Sequence, residues 1–497
     1  MMIRQSEAVN KLGDCHKRTP QVSLNQYRPR GAAGCPQFIH SFQVFFLLTA
    51  LLLLVGYALW AQQRPDFVGA VTGEQQVPRV AVPDMPGAPE AAAETDIFNT
   101  TLWNDLESAG RLEMVSKSFY PRTVPRRPED IQAGEKDLPP DPGSRGLWLA
   151  GWSQPPVTAR YMTFGYLEAV GDRLILTAYL YDVTAEALSG AHMFGKRYYA
   201  SKDEDGARQL AHDFSRDVLQ NLGLGTGLAG TRVYFVSNRT GNDEIWAMDY
   251  DGTNQKALTS YKNLSLTPAV SPDGTRLAFT TYVTSTPSIF VHSLETNRRL
   301  TFYNQVASLN TTPAFTPDGN SILFASSLSG HSQIYMADLD GGNLRRISYS
   351  RSIDVHPDVN PKTGAQIVFV SGRAGIPQVY VMDIDGANVR KLSPGGGDAV
   401  QPDWDPQGEN VAFAWTRGFE PGNYNIFVIN VATEKLVQLT YGAGRNEHPT
   451  WSPSGTHIVF SSNRSGGTQI WSMRADGTQL RKLTTQGRNH MPVWGVR

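Results

Sequence analysis

Apolar residues alternate with small or polar ones through most of the second half of the chain. The alternation is clear in IVFSSNR at 458–464 and IWSMRADG at 470–477, and it predicts β-strands. Asp-Gly pairs such as Asp251-Gly252 and Asp476-Gly477 separate the runs. They predict tight turns, because glycine tolerates a positive φ. This half of the chain is therefore predicted to be all-β.

The strand-rich segments recur with a regular period. Each unit opens on a proline followed by a turn such as SPDG at 271–274, and successive opening prolines lie 45, 44, 45, 47 and 43 residues apart. A period near 45 residues with four strands in each unit is typical of propeller blades. The opening prolines are Pro268, Pro313, Pro357, Pro402, Pro449 and Pro492.

The two ends of the repeat region are complementary. The segment that begins VYFVSNRTG at Val233 supplies the second, third and fourth strands of a blade, whereas MPVWGVR at 491–497 supplies only an innermost strand. Pairing of these segments completes a sixth blade and removes the free sheet edges. Residues 232–497 are therefore predicted to form a six-bladed β-propeller closed by the C-terminal strand.

Residues 62–223 show a different pattern, which predicts a small α/β domain. TDIFNTTLWNDLESAG at 95–110 has apolar residues four apart and ends on glycine, as a helix does. RLEMVSKSF at 111–119 is predicted to be a strand, and 158–183 a hairpin turning at Gly171-Asp172, with 191–201 beside it. A second helix over 205–223 leads to a linker at 224–231. The fold class is therefore mixed, with an α/β domain before an all-β propeller.

Residues 42–61 form an apolar run without a charged residue, long enough to cross a bilayer. The preceding residues 1–41 carry a net charge of +4, from six basic and two acidic residues, which predicts a cytoplasmic segment and export of everything that follows. The run is either a cleaved signal peptide or an uncleaved anchor. Membrane contact is expected only through residues 42–61, if they are uncleaved.

Charge and cysteine content narrow the function classes. The net charge is −1, which argues against a nucleic-acid-binding protein, because such a chain carries a basic excess. Cys15 and Cys35 both precede the apolar run. The exported part therefore has neither a disulfide nor a thiolate metal site, and we expect no cofactor and no metal.

Catalytic signatures are weak in the exported part. GHSQI at 330–334 lacks the second glycine of a hydrolase nucleophile elbow, and DIDG at 383–386 lacks the later ligands of a calcium loop. His356, His448 and His490 precede or approach blade-opening prolines. They are interpreted chiefly as binding-surface residues, with a metal-binding ring or plain structure as alternatives. We therefore expect no enzymatic activity.

The polar residues just before each blade-opening proline are the candidate partner-binding site. They begin the innermost strands, which line the central channel of a propeller, so ring symmetry would gather them at one mouth. The alternative is that strand starts are polar only because they contact water. The candidates are Ser265, Thr267, Asn310, Thr312, Asp354, His356, Asp398, Gln401, Asn446, Glu447, His448, Asn489 and His490.

The order of export segment, α/β domain and closed propeller resembles the TolB family, periplasmic components of the Tol-Pal system. The resemblance rests on RVAVPDMPG at 79–87, DLESAGRL at 105–112, YLEAVGDRLILTAYLYDV at 166–183 and TRVYFVSNRTGNDEIWAMDYDG at 231–252. It covers nearly the whole chain after about residue 75. One departure is ARY at 159–161, where the family more often has ADY.

The resemblance implies a non-catalytic periplasmic adaptor. In such proteins the propeller mouth receives the lipoprotein Pal and the N-terminal region contacts TolA, which supports outer-membrane integrity and envelope constriction at cell division. Other envelope lipoproteins are further candidate partners. The alternatives are a periplasmic hydrolase or lyase that acts on peptide or sugar at the ring mouth, and a solute-binding sensor.

Overall fold

The structure is a computed structural model that describes residues 77–132, 143–225, 227–302, 307–340, 342–417, 422–442 and 444–496. The predicted cytoplasmic segment 1–41 and apolar segment 42–61 lie outside the described residues. None of the helices within the described ranges combines the length and the apolar character that a bilayer span needs.

The N-terminal α/β domain is built on a five-stranded sheet. Its strands are β1 (Arg79–Ala81), β2 (Glu113–Met114), β3 (Tyr161–Val170), β4 (Arg173–Asp182) and β5 (His192–Ser201). The order is β2-β1-β3-β4-β5. β1 pairs in parallel with both β2 and β3, whereas β3, β4 and β5 pair antiparallel. The hairpin predicted to turn at Gly171 is confirmed, and this glycine has the positive φ of 57° that the turn requires.

Four α-helices accompany this sheet in the described residues: α1 (Ala92–Ser108), α2 (Ala150–Ser153), α3 (Leu188–Ala191) and α4 (Glu204–Asn221). α1 and α4 were predicted, and the short α2 and α3 were not. Short 3-10 helices span Pro89–Ala91, Lys117–Phe119, Pro128–Asp130 and Arg145–Leu147. The strand predicted over 111–119 is confirmed only at β2, because the Ser116 hydroxyl accepts the Ser118 N–H and caps a 3-10 turn.

Both faces of the sheet are buried. On one face α1 and α4 contribute Phe98, Leu102 and Phe214 to a core that also contains Leu167 and Leu176. On the other face Trp152 of α2 packs with Met162, Phe164 and Tyr181. Successive strand residues therefore enter different cores, as the period of two requires.

A buried carboxylate joins the two helices to the propeller. Asp105 of α1 is fully buried. Its Oδ2 accepts the Ser215 hydroxyl of α4 at 2.9 Å and lies 2.9 Å from His212 Nδ1, and its Oδ1 accepts the hydroxyl of Tyr250 in the propeller. Burial lowers the pKa of His212, but attraction and hydrogen bonding from Asp105, with attraction from Asp249 and Asp251, outweigh burial and raise it. Burial and the Asp105 carboxylate raise the pKa of Tyr250.

The propeller consists of six four-stranded sheets. In chain order, the first strands of the propeller are β6 (Thr231–Ser237), β7 (Glu244–Asp249), β8 (Lys256–Ala257), β9 (Ser265–Val270), β10 (Arg276–Thr281), β11 (Ser288–Ser293), β12 (Arg299–Leu300), β13 (Asn310–Phe315), β14 (Ser321–Ser326), β15 (Gln333–Asp338) and β16 (Arg345–Arg346). The remaining strands are β17 (Asp354–Val359), β18 (Gln366–Ser371), β19 (Gln378–Asp383), β20 (Arg390–Lys391), β21 (Ala399–Trp404), β22 (Asn410–Trp415), β23 (Asn425–Asn430), β24 (Leu436–Gln438), β25 (Asn446–Trp451), β26 (His457–Ser465), β27 (Gly467–Arg474), β28 (Arg481–Lys482) and β29 (Asn489–Val496).

Five sheets are made from consecutive strands, and the sixth has the order β29-β6-β7-β8. β29 pairs antiparallel with β6, placing Val493 opposite Tyr234 and Trp494 opposite Val233. The six-bladed fold and its closure by the C-terminal strand are confirmed. The Trp494 indole donates to the Thr231 hydroxyl at 2.8 Å, which ties the closing strand to β6.

One phenylalanine is fully buried in the second strand of every blade. These six side chains occupy the same place in the repeat and lie in the apolar layers where sheets face each other. Each blade therefore packs against two neighbours rather than around a core of its own. The residues are Phe235, Phe279, Phe324, Phe369, Phe413 and Phe460.

Replacing Asp105 should weaken the joint between helices and propeller. Asp105→Asn removes the charge that His212 faces, and breaking a buried pair typically costs about 3 kcal/mol or more. In the wild type the raised pKa of His212 contributes stability that is full below about pH 6.5 and is lost as pH rises through the folded value. Denaturant unfolding at pH 6 and pH 9 should show this loss in the wild type and not in the variant. Asp213→Asn, at a half-exposed position of the same helix, should behave like the wild type; an equal effect there would contradict the prediction.

The ring closure should depend on Trp494. Trp494→Ala removes a side chain that is 6% exposed and packs with Val233 and Phe235, so it should lower the free energy of unfolding by roughly 3 kcal/mol or more. Trp494→Phe keeps most of the burial and loses the bond to Thr231, so it should cost less. Thermal unfolding of both variants measures the difference. Unchanged stability of the alanine variant would show that closure does not rest on this contact.

Candidate functional site in the propeller channel

The innermost strand of every blade carries a bulge just before its opening proline. The register of the first and second strands shifts there in all six blades. The residue before the proline has a φ between 48° and 56° in each case. A left-handed conformation is unfavourable for non-glycine residues by about 1–2 kcal/mol. We call these six residues the bulge ring: Thr267, Thr312, His356, Gln401, His448 and Met491.

The channel has two distinct ends. The innermost strands begin at one end, which we call the upper mouth, and finish in the SPDG-type turns at the other end, which we call the lower mouth. A cavity of about 410 Å³ extends from the bulge ring to these turns. Its walls include Phe315, Trp404 and Trp451. The proline of each turn, such as Pro272, lines the cavity too. We call it the lower cavity.

Side chains and backbone of the bulge ring form hydrogen bonds between neighbouring blades. Gln401 accepts the His448 N–H at 2.8 Å, and its amide nitrogen lies 2.9 Å from His448 Nε2. Thr312 accepts the His356 N–H at 3.2 Å. Burial lowers the pKa of His356 to about 4 and, with repulsion from His356 and His490, lowers the pKa of His448 well below its usual value. Both imidazoles are therefore neutral at pH 7.

Five of the predicted partner-binding residues belong to the bulge ring. Thr267, Thr312, His356, Gln401 and His448 line the lower cavity and are reached from the lower mouth. Sequence reasoning placed them near the strand starts. The bulge turns their side chains into the channel, because one extra residue re-aims the chain at that point.

Five other predicted residues are not at a surface. Each is the first residue of an innermost strand, and each is fully buried. Asp354 accepts from Arg373 at 3.2 Å, and Asn446 and Asn489 accept from Arg464 and Arg239. Their polar groups form hydrogen bonds within the blade and, for Ser265, Asn446 and Asn489, also to the preceding blade. The structure therefore gives these five residues no exposed surface at the mouth. The five are Ser265, Asn310, Asp354, Asn446 and Asn489.

The remaining three predicted residues, Asp398, Glu447 and His490, lie near the upper mouth and are partly exposed. Glu447 pairs with Arg445 at 2.7 Å. His490 Nε2 lies 3.6 Å from Asp243, and burial lowers the pKa of His490 against the attraction of that carboxylate. Arg488 also contacts Asp243. This side of the upper mouth therefore carries both acidic and basic side chains.

Exposed apolar side chains at the upper mouth were missed. Tyr441, which is 67% exposed, lies in the segment that enters β25 on the charged side, and six others form a group on the opposite side. They lie in the segments that enter innermost strands or join second to third strands, in the neighbouring sheets β9–β12, β13–β16 and β17–β20. A sequence signal existed, because these segments are otherwise polar. We call them the apolar half of the upper mouth: Leu264, Val283, Leu328, Tyr349, Ile353 and Ile376.

Two carboxylates of the lower cavity were missed as well. Asp358 and Asp403 directly follow their blade-opening prolines, where the other blades have Ala269, Ala314, Thr450 and Val493. Within the described ranges, no three or more His, Cys, Asp or Glu side chains are grouped to hold a metal ion. The alternative of a metal-binding ring of His356, His448 and His490 thus has no support there.

The candidate catalytic and calcium segments have structural roles. The Ser332 hydroxyl of the GHSQI segment donates to the backbone carbonyl of Asp354 at 3.2 Å. In the DIDG segment, Asp383 accepts from Asn388 at 2.6 Å, and Gly386 has a φ of 90°. The second segment is a hairpin turn between β19 and β20.

The fold and its channel define a six-bladed β-propeller with an appended α/β domain. A sequence model described as the TolB beta propeller domain matches residues 220–419 and 396–497. The chain belongs to this TolB propeller family.

Known relatives carry the same family name. A "Protein TolB homolog" of Chlorobium chlorochromatii is 35% identical over 138 residues, which is 28% of this chain and 30% of the relative. A "Tol-Pal system protein TolB" of Geobacter metallireducens is 34% identical over 235 residues, which is 47% of this chain and 48% of the relative. The chain thus matches half or less of the length of these relatives.

The fold has a solved counterpart. The crystal structure of TolB from Acinetobacter baumannii is similar with a TM-score of 0.64, covering 84% of this chain and 97% of that one at 23% identity. At this identity the likeness establishes the architecture of both parts of the chain.

The neutral histidines should make the propeller sensitive to acid. Because the pKa of His356 is about 4 in the folded protein and about 6.5 when unfolded, stability is full above pH 6.5 and is lost as pH falls towards 4. On acidification, the free energy of unfolding of the His356→Gln variant should therefore fall by about 1–3 kcal/mol less than that of the wild type. Gln401 shows that glutamine fits the bulge ring. Urea unfolding at pH 7.5 and 4.5 measures this. The exposed His331→Gln serves as control, and an equal acid loss in His356→Gln would refute the assignment.

Proposed function

We propose that this protein is the TolB component of a Tol-Pal system, acting in the periplasm as a non-catalytic adaptor. Membership of the TolB propeller family supports this proposal, together with the names of its relatives. The adaptor binds the lipoprotein Pal at the upper mouth and TolA through the N-terminal region. It thereby supports outer-membrane integrity and constriction of the envelope at division.

The division of the upper mouth into an apolar and a charged half carries the docking proposal. Tyr349 is 74% exposed and Ile353 is 61% exposed, which is unusual for side chains of this size. Protein interfaces combine an apolar centre with a polar rim. Exposed apolar groups gathered on neighbouring blades supply the first, and Arg445, Glu447 and Arg488 on the other blades supply the second.

The asymmetry also gives a docking orientation. A propeller ring presents similar backbone in six directions, so a partner could bind in several rotations if the side chains repeated as well. The group of exposed apolar side chains on neighbouring blades favours one rotation, because other rotations place the apolar surface of the partner against Arg445, Glu447 and Arg488.

An enzymatic function on peptide or sugar has less support. Ser332 is held by a backbone carbonyl, and the histidine beside it, His331, is exposed at the surface. At the upper mouth Glu447 is paired with Arg445, and Arg488 with Asp243. The adaptor function therefore remains the better interpretation.

Replacing the apolar half should weaken Pal binding without unfolding the protein. Tyr349→Ser combined with Ile353→Ser should reduce affinity for the soluble domain of Pal by at least about tenfold, since interface hot spots contribute about 2 kcal/mol or more each. Both side chains are exposed, so the melting temperature should change little. Titration calorimetry measures the affinity.

The matched control lies at the other end of the same blade. Leu344 is 39% exposed and precedes β16 near the lower mouth, so Leu344→Ser should bind Pal as the wild type does. Equal weakening by both variants, or full binding by the Tyr349 and Ile353 variant, would overturn the docking site. A failure of all forms to bind Pal would overturn the proposed function itself.

A further inference from the structure

The lower cavity is a concave site at the end of the channel opposite the upper mouth. It is bounded by the bulge ring at its inner end and by the blade turns at its rim. Phe315, Val359 and Val493 contribute apolar wall. A volume of about 410 Å³ lies within the range of small-ligand sites, which are mostly apolar with a few placed polar groups.

Two carboxylates project from adjacent blades into this cavity. Asp358 of β17 and Asp403 of β21 occupy equivalent positions, and both side chains are half-buried. Each uses Oδ2 to accept a backbone N–H of the next blade: Asp358 from Trp404 at 2.8 Å, and Asp403 from Trp451 at 2.7 Å. These bonds fix both side chains in place at the cavity wall.

Among the residues that the structure describes, no side chain of the cavity neutralises the two carboxylates, since neither Lys nor Arg is among its lining residues. Of the ion pairs in the described part of the chain, none involves Asp358 or Asp403. Burial raises the pKa of Asp358 to about 7, and burial together with repulsion from Asp358 raises the pKa of Asp403 well above its usual value.

This arrangement lowers stability at neutral pH. A carboxyl group whose folded pKa is raised stabilises the protein fully below its unfolded value near 3.9, and that stability is lost as pH rises through the folded value. Unpaired carboxylates in a confined site are typical of binding sites rather than of structural contacts. An organic cation bound between them would compensate one of the two charges and reduce the repulsion between the carboxylates.

We propose that the lower cavity binds a ligand with a primary ammonium group, held between Asp358 and Asp403, with its alkyl chain against the apolar wall. The class includes alkylamines and the side chain of lysine. The site is separate from the upper mouth and does not depend on the proposed docking of Pal.

The walls of the cavity favour an organic cation over a metal ion. Calcium requires six to eight oxygen ligands, whereas the cavity offers two carboxylates among prolines, valines and aromatic rings. An ammonium group needs only a few acceptors, and its alkyl chain gains from apolar contact. Aromatic walls also attract organic cations.

The test uses n-butylammonium chloride as the probe and the full exported chain, residues 62–497. Titration calorimetry at pH 8.5 should show binding at one site, at least tenfold tighter than the uncharged isostere n-butanol. Binding should weaken at least tenfold at pH 5.5, because protonated carboxyl groups must then release protons. The probe itself stays charged at both values, as a lysine ammonium does.

The matched variant is Asp358→Asn with Asp403→Asn. Asparagine keeps a carbonyl oxygen for the Trp404 and Trp451 N–H groups, so the double variant should fold and should melt at a higher temperature than the wild type at pH 8.5. It should lose at least tenfold in butylammonium affinity. Asp398→Asn, near the upper mouth, should bind the probe as the wild type does.

Three results would overturn the proposal. The first is equal binding of n-butanol, which would show an apolar site alone. The second is binding of calcium chloride without binding of butylammonium. The third is unchanged butylammonium affinity in the double variant, whose melting curve verifies that it is folded.

Discussion

Every blade of this propeller depends on being covered on both faces. The sheets are narrow and apolar on each side, and the fully buried phenylalanine of each second strand lies in a layer shared between sheets. A four-stranded sheet of this kind cannot bury its own surface, so the blades are stable only as a closed ring. Pairing of β29 with β6 therefore supports all six interfaces, and the channel, the bulge ring and the two mouths exist because the ring closes.

The ring could be predicted from the sequence because its determinants are local and repeated. Turn glycines, opening prolines and alternating strands recur in each unit, so an error in one unit is corrected by the others. The α/β domain lacks such repetition. The long helix α4 has a clear apolar face, and α1 has apolar residues four apart. By contrast, α2 and α3 are four residues each, too short for a helical period to show. In the segment 111–119, predicted to be a strand, only Glu113–Met114 is a strand, because Ser116 caps a 3-10 helix over Lys117–Phe119.

The site was harder to predict because polarity alone does not indicate exposure. Asp354 and Glu447 both begin or nearly begin an innermost strand, yet one is fully buried against Arg373 and the other is partly exposed beside Arg445. The partner of Asp354 lies 19 residues away in the sequence, whereas the partner of Glu447 lies 2 residues away. Arg373, which donates to Asp354, also stacks over Phe369 and Tyr380. Arg464 and Arg239 combine the same two contacts in the blades that begin with Asn446 and Asn489.

Departures from the repeat are the most informative positions of this chain. The backbone has nearly the same conformation in all blades, including six left-handed residues in the bulge ring, so a residue type that recurs in every blade serves the ring itself. A residue type found in only two neighbouring blades is not required by the ring as a whole. Asp358 and Asp403 replace Ala, Thr or Val, and both raise the local charge where packing would favour an apolar group. Likewise Tyr349 and Ile353 expose apolar surface that folding alone would bury. Both departures lower the stability of the fold, and they lie on the two sides of the bulge ring, from which ligands and partners can reach a propeller.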